Sequence, residues 1–245
     1  REKVLAAYYR NGTSAHILID REGKVCINVD YRLYRAFHAG ISQFYELTSL
    51  NGYSIGIECV NTLYGKREGP YPVPRHEWEA YTQEQMDAVG EVVFLLQRYG
   101  RIPGFMVAGH ADIALGRKTD PGPRFDWQGL YKKFGVGFFP EKRQIQNLPD
   151  LRDEITLHRF LSVLGYHSDP NIALGCPIWA FCAHYCSELL STEMSPGIGA
   201  TIIRCITSLY KRVDPITHQR SHHIDEMCEN LADEHPGVLS EFIAS

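Results

Sequence analysis

Gly109 to Asp126 reads GHADIALGRKTDPGPRFD, and its interpretation decides how the rest of the chain is understood. The stretch gathers His110, Asp112, Arg117, Lys118 and Asp120 between an apolar run, Phe105 to Ala108, and a turn made by Pro121, Gly122 and Pro123. The run is short and bounded by Gly104 and Gly109, which predicts a buried strand returning to a sheet over Phe105 to His110. His110 is then expected at a strand tip. Beyond it Gly116 and the PGP triplet require a loop, and Pro121 biases Asp120 toward an extended backbone. An imidazole and a carboxylate brought to one point are donors suited to zinc, with a position left open for water.

Upstream, the chain opens with a helix-like segment, Glu2 to Tyr9, ended by Asn11 and Gly12. Ser14 to Asp20, a Glu22-Gly23 turn and Lys24 to Asp30 then predict a β-hairpin. Arg35 to Ser42 reads as a loop or strand rim. Tyr53 to Val60 (YSIGIECV) is almost wholly apolar, as a central strand covered on both faces would be. Glu58 is its exception, and an acid there must be paired, protonated or functional. Asn61 to Trp78 is rich in Pro, Gly, Tyr and charge and predicts a long loop. Thr82 then caps a helix, with Gln85 three residues on, and Met86, Val89, Val93, Leu96 and Tyr99 recur at helical spacing until Gly100. Trp127 to Phe134 predicts a closing helix before Gly135.

This succession gives an α/β (α+β) domain over residues 1–140, with a mixed central β-sheet flanked by helices. After Pro140 the composition shifts. Residues 141–150 read as a linker. Leu151 to Leu164, Ile178 to Leu190 and Ile198 to Val213 predict a small three-helix C-terminal module over 151–215. Residues 216–245, with His218, His222, His223 and His235, are a fourth helix or a tail whose histidines are read as a solvated surface.

The whole chain bounds the function. Its 245 residues are 44% hydrophobic with net charge −4, so disorder is excluded, and the dispersed basic residues argue against nucleic acid as a partner. No apolar run reaches the length of a membrane span. Seven cysteines cannot all pair within one chain. Cys182 and Cys186 share a helix face with His184 between them, but without a CxxC pair buried free thiols are the expected reading, ahead of a zinc knot.

Four segments, SAHILIDREGKV, AFHAGIS, NGYSIGIE and GHADIALGRKTDPGPRFDW, together resemble the type-2 N-acetylmuramoyl-L-alanine amidases, zinc enzymes that cut between the lactyl group of muramic acid and the first alanine of the stem peptide. The resemblance covers about residues 1–140. It implies zinc as cofactor and peptidoglycan or muropeptide as partner. It also implies His110 and Asp120 as two of three metal ligands, Lys118 as oxyanion stabiliser and Glu58 as base. His38 and Asn51 are implied as substrate contacts and His16 as a cleft or supporting residue, with a supporting contact, a substrate contact or plain packing all open for the two histidines. FLSVLGYHSD and the helix around Trp179, Phe181 and Tyr185 loosely resemble a three-helix peptidoglycan-binding domain, for which exposed aromatics would suit sugar faces. The family's first zinc ligand is a histidine ending an earlier strand, in a pattern like V-x-H-x-T, which this sequence lacks. The expectation is a chain whose first strand lies upstream of Arg1; with only two family ligands, a non-catalytic peptidoglycan recognition module becomes the alternative function. The compartment implied is the periplasm or cell envelope of a bacterium, with cytoplasm as the alternative, and the oligomeric state is left open.

Overall fold

The structure, a computed structural model, describes residues 6, 8, 10–61, 75–140, 154–167, 172, 173, 175–190 and 196–209. Most of the expected opening helix, residues 62–74 of the long loop, the linker and the histidine-bearing tail lie outside the described residues. Of the opening segment, Ala6, Tyr8, Arg10 and Asn11 are helical.

A three-stranded sheet carries the first half. β1 (Ile17–Ile19) lies between β2 (Val25–Ile27) and β5 (Ile57–Cys59). β1 and β2 are antiparallel, with Leu18 opposite Cys26. The hairpin forms because Asp20 accepts from the Gly23 and Lys24 amides, and Gly23 takes the left-handed conformation (φ 78°) that a residue without Cβ adopts freely. β1 and β5 are parallel, with Leu18 opposite Glu58. A two-stranded ribbon, β3 (Gln43–Phe44) and β4 (Leu47–Thr48), stands apart.

The predicted centre of the sheet is corrected. Of Tyr53 to Val60, only Ile57–Cys59 forms a strand, and among the described residues it is an edge. β1 takes the middle place, and all three of its residues are buried. Glu58 is exposed at that edge, with part of its surface against neighbouring protein.

Helix α1 (Gln83–Gly100) begins as expected, with Thr82 Oγ1 accepting from the Gln85 amide at 3.2 Å. It ends at Gly100, but the left-handed cap is Arg101 (φ 52°). Met86, Val89 and Val93 pack with Ile17 and Ile19 of the sheet. Full burial of such side chains contributes about 1.5–3 kcal/mol each, against at most about 1 kcal/mol of intrinsic preference per residue, so the docked face decides this helix. Gln85, fully buried, donates through Nε2 to Ile19 O and Val60 O and so ties the ends of β1 and β5 together.

The strand predicted over Phe105 to His110 is absent from the described structure. Pro103 and Gly104 open a 3-10 turn over Gly104–Met106 instead, and Val107 is extended but has no hydrogen-bonded strand beside it among the described residues. His110 therefore opens a one-turn helix, α2 (His110–Ile113), and does not stand at a strand tip. Helix α3 (Trp127–Phe134) follows, capped by Asp126 Oδ1 on the Gly129 amide at 2.8 Å and closed by Gly135 (φ 69°).

Helices α4 (Glu154–Val163), α5 (Gly175–Tyr185) and α6 (Pro196–Leu209) form the second half. Their core of Leu157, Phe160, Leu161, Phe181, Ile202 and Ile206 continues without a break into Phe44, Tyr45, Leu50, Trp78 and Ala111 of the first half. Tyr166, Trp179 and Phe181 are buried in that core, so the exposed aromatics expected of a sugar-binding face are not found at these positions. Cys182 and Cys186 are buried free thiols, as expected. The hydrogen bond with Cys186, together with burial, pushes the Cys182 thiol well above its ordinary pKa. Among the described residues, no helix is long and apolar enough to cross a membrane.

Candidate active site

The loop after α2 is folded back by its own backbone. The Ala111 amide donates to Asp120 O at 2.7 Å, and the Arg117 and Lys118 amides both donate to Ala114 O at 3.0 Å. Tyr81 Oη holds the far end by donating to Pro121 O. The result places His110 Nδ1 3.0 Å from Asp120 Oδ2. On its other side His110 Nε2 lies 3.2 Å from Ala39 O.

Those two contacts fix what the ring can do. When Nε2–H donates to the Ala39 carbonyl, Nδ1 presents a lone pair to a carboxylate oxygen, and two acceptors face each other across 3.0 Å. They need a shared proton or cation. Two tetrahedral zinc ligands stand about 3.3 Å apart, given zinc distances near 2.0–2.1 Å, and a ligating histidine ordinarily donates its second N–H to a carbonyl in this manner. The pair therefore fits such a metal in donor type and orientation. Among the described residues no group of three or more His, Cys, Asp or Glu side chains could hold a metal.

Charge converges on the same place. The protein packed beside the half-exposed Asp120 disfavours its ionised form, but the hydrogen bond and charge of His110 and the charge of Lys118 outweigh it and hold its carboxyl below the usual range. Glu58 goes the other way. Surrounding protein raises its pKa, the Asp120 charge raises it further, and His110, the nearby Tyr8 hydroxyl and Lys118 offset only part. Glu58, His110, Lys118 and Asp120 are thus within electrostatic reach of one another. Arg117 turns elsewhere, and its Nη2 donates to Ala39 O and Ile41 O.

The remaining expected residues build the wall. Asn51 Oδ1 accepts from the His38 and Ala39 amides at 3.0 and 2.7 Å, stapling that loop. His38 is half-buried with its edge toward the His16 ring, and burial followed by the His16 charge lowers its pKa to about 4. Its ring lies so close to Gly56 that a Cβ there would come within 2.3 Å. His16 is buried, with Nδ1 accepting from the Gly56 amide and Nε2 donating to Tyr34 O. Both its nitrogens are occupied, so it cannot serve as a third metal ligand.

Sequence reasoning missed Asp112, Tyr166 and His184. Asp112 Oδ2 accepts from the Gly109 amide at 2.7 Å and from His184 Nδ1 at 2.8 Å, and its Oδ1 accepts from Tyr166 Oη at 2.9 Å. An acid three residues after Gly109 is a helix-start signal that could have found the first contact. Nothing local announces partners 54 and 72 residues away.

Residues 2–123 match the protein family described as N-acetylmuramoyl-L-alanine amidase. The 1,6-anhydro-N-acetylmuramyl-L-alanine amidase AmpD of Haemophilus influenzae is 35% identical over 124 residues, covering 50% of this chain and 59% of its own length. The N-acetylmuramoyl-L-alanine amidase AmiD of Escherichia coli is 39% identical over 145 residues, covering 56% of this chain and 50% of its own. The chain spans about half the length of the curated relatives it matches. Among solved structures, E. coli AmiD in complex with the substrate anhydro-N-acetylmuramic acid-L-Ala-D-gamma-Glu-L-Lys superimposes with a TM-score of 0.71 at 27% identity, over 84% of this chain and 83% of that one. AmpDh3 of Pseudomonas aeruginosa in complex with anhydromuramic pentapeptide gives 0.66 at 27% identity, over 79% and 81%. Coverage of that extent reaches into the helical second half.

Proposed function

Because the chain belongs, through residues 2–123, to the N-acetylmuramoyl-L-alanine amidase family, we propose that it hydrolyses the amide between N-acetylmuramic acid and L-alanine in peptidoglycan or its soluble muropeptides. The observation that carries this reading is the meeting of Glu58 with the His110–Asp120 pair and Lys118. The relatives' names and the ligands of the solved neighbours support a muropeptide as the substrate class. The cell envelope or periplasm is the proposed compartment, since the polymer lies there.

Zinc is the proposed metal, with His110 Nδ1 and Asp120 Oδ2 as its holders, and it would supply an acidified water and a polarised carbonyl. Glu58 takes the proton from the attacking water and returns it to the departing alanine nitrogen. Surrounding protein and the Asp120 charge raise its pKa, which makes it a readier proton acceptor and carrier than an ordinary glutamate. Lys118 faces the carbonyl oxygen as negative charge grows there. Asp120, held ionised, presents Oδ2 beside His110 Nδ1, while the Ala39 carbonyl, accepting from Nε2, keeps the His110 ring turned. Any wall-binding role of residues 151–215 would have to use surfaces other than Tyr166, Trp179 and Phe181, which are buried.

One observation favours a second reading. Catalytic zinc sites generally use three protein ligands, and no third joins His110 and Asp120 among the described residues. A zinc-free chain that binds muropeptide without cutting it would be a recognition module. The test is to incubate the chain and a muropeptide with zinc or with a chelator and to resolve the products by mass spectrometry. The proposal expects free stem peptide with zinc and none with chelator. Intact muropeptide retained by the protein in both would overturn it in favour of recognition.

A further inference from the structure

Asp112 is 3% exposed, and His184 and Tyr166 are 6% and 1% exposed. Every hydrogen bond given to the Asp112 carboxylate has a different origin: the Gly109 amide from the turn that starts α2, His184 from α5, and Tyr166 from the segment after α4. The histidine cannot swing away, because its ring is stacked between Trp127 of α3 and Tyr185 of α5, with centroids 3.9 and 4.1 Å apart and planes 13° from parallel in both cases. Burial and the charge of Asp112 push the Tyr166 hydroxyl well above its ordinary pKa, so it remains a donor.

The node sits directly behind the candidate metal position. Residues two apart on a helical turn are rotated by about 200°, so His110 and Asp112 point to opposite sides of the same turn. His110 faces Asp120 and Ala39, while Asp112 faces the helical half. Gly109 links them: its amide is held by Asp112, and its Cα is the hinge from which His110 departs.

We propose that the helical half holds the metal loop in its working shape, with Tyr166 and His184 acting through Asp112 as positioning residues for His110. The second half then serves the cleft from behind, through a buried polar contact, whatever else its surface binds. This rests on the amidase reading for its functional consequence but not for its structural one. The two are separable by experiment.

Three variants of the full chain test it. Tyr166→Phe removes one oxygen and keeps the ring. His184→Phe keeps a ring between Trp127 and Tyr185 and removes the donor. His184→Gln keeps a donor and loses the stack. Two readouts are taken: backbone hydrogen exchange over residues 107–116 with the β1–β2 hairpin as internal reference, and zinc affinity by competition with a chromogenic chelator. Tyr166→Phe and His184→Phe are expected to speed exchange in 107–116 about tenfold with the hairpin unchanged. Zinc affinity should fall about tenfold, at the low end of what removing a ligand's supporting partner does. His184→Gln is expected to recover most of both. Parent-like exchange and affinity in folded Tyr166→Phe and His184→Phe would overturn the proposal, as would exchange rising equally in the hairpin or no recovery in His184→Gln. If His184→Phe does not fold, Tyr166→Phe decides alone. If the parent binds no zinc, the amidase reading fails while the exchange result still decides the clamp.

Discussion

Two histidine–aspartate pairs stand back to back on the turn that begins at His110, and they are built to opposite ends. His110–Asp120 spans 3.0 Å with the Asp120 side chain 56% exposed, beside Lys118 and Glu58. His184–Asp112 spans 2.8 Å with both side chains under 5% exposed, and hydrogen bonds from Gly109 and Tyr166 complete the carboxylate. The contacts are nearly the same length. What differs is completion: the buried pair has its donors already, whereas the open pair leaves acceptors facing each other at a cleft. The finished pair is the one proposed to hold shape, and the unfinished one is the proposed metal position.

The sharpest way to break this contrast lies on the open side. Glu58→Gln should lower turnover by about a hundredfold to ten-thousandfold, the range for a proton-transfer group, while raising thermal stability at neutral pH. The sign follows from the raised folded pKa. Folding favours the protonated carboxyl, so the parent's contribution is fully present below the ordinary glutamate pKa and lost as pH rises through the folded value, and glutamine has no such loss. Melting curves at neutral and acidic pH check it: the variant should melt higher at neutral pH and match the parent in acid. A variant that melts lower at neutral pH contradicts the account.

Lys118→Ala should reduce turnover by about a hundredfold to a thousandfold with an unchanged circular dichroism spectrum. Normal turnover by this variant would remove Lys118 from the chemistry.

Stability then compares the two aspartates directly. Asp112→Ala removes a buried, fully bonded partner and leaves three donors unsatisfied, so urea denaturation should show a loss of about 3 kcal/mol or more. Asp120→Ala, at an exposed pair, should cost about 0–1 kcal/mol. Equal losses would abolish the distinction between a holding pair and a working one.

The smallest effect concerns the wall of the cleft. His38 is neutral in the fold because its pKa is lowered from 6.5 to about 4 by burial and by the charge of His16. Its contribution to stability is present above the ordinary histidine pKa and is lost as pH falls through 6.5 toward 4. His38→Asn should flatten that part of a stability-versus-pH curve, and an unaltered curve would place the acid sensitivity elsewhere.

How far the sequence could be read follows the range of the forces involved. The β1–β2 hairpin, the Thr82 cap and the Asp126 to Gly135 helix were legible because each is decided within a few residues by a turn glycine, a capping oxygen or a helical stripe. The motifs bring His110, Asp120, Lys118 and Glu58 forward as a set, and the fold places them within electrostatic reach of one another. The strand predicted over Phe105 to His110 failed because an apolar run becomes a strand only when a neighbour offers hydrogen bonds, and Pro103-Gly104 turns the chain first. Tyr53 to Val60 reads as central yet is an edge among the described residues, because apolarity reports burial, not which neighbour supplies it. The Asp112 node could not be read at all. Its partners come from α5 and from the segment after α4, and a histidine and a tyrosine there look like any other until the helices pack.

The cleft that holds Glu58, His110, Lys118 and Asp120 is proposed to hydrolyse one bond. The direct measurement is to run the reaction on a muropeptide in water labelled with heavy oxygen and weigh both products. The label is expected in the lactyl carboxylate of the muramic acid product, beside an unlabelled stem peptide with a free alanine amine, and both should form about a hundredfold to a thousandfold more slowly with Lys118→Ala. Label in the peptide, or a muropeptide returned whole from zinc-supplied protein, would contradict it.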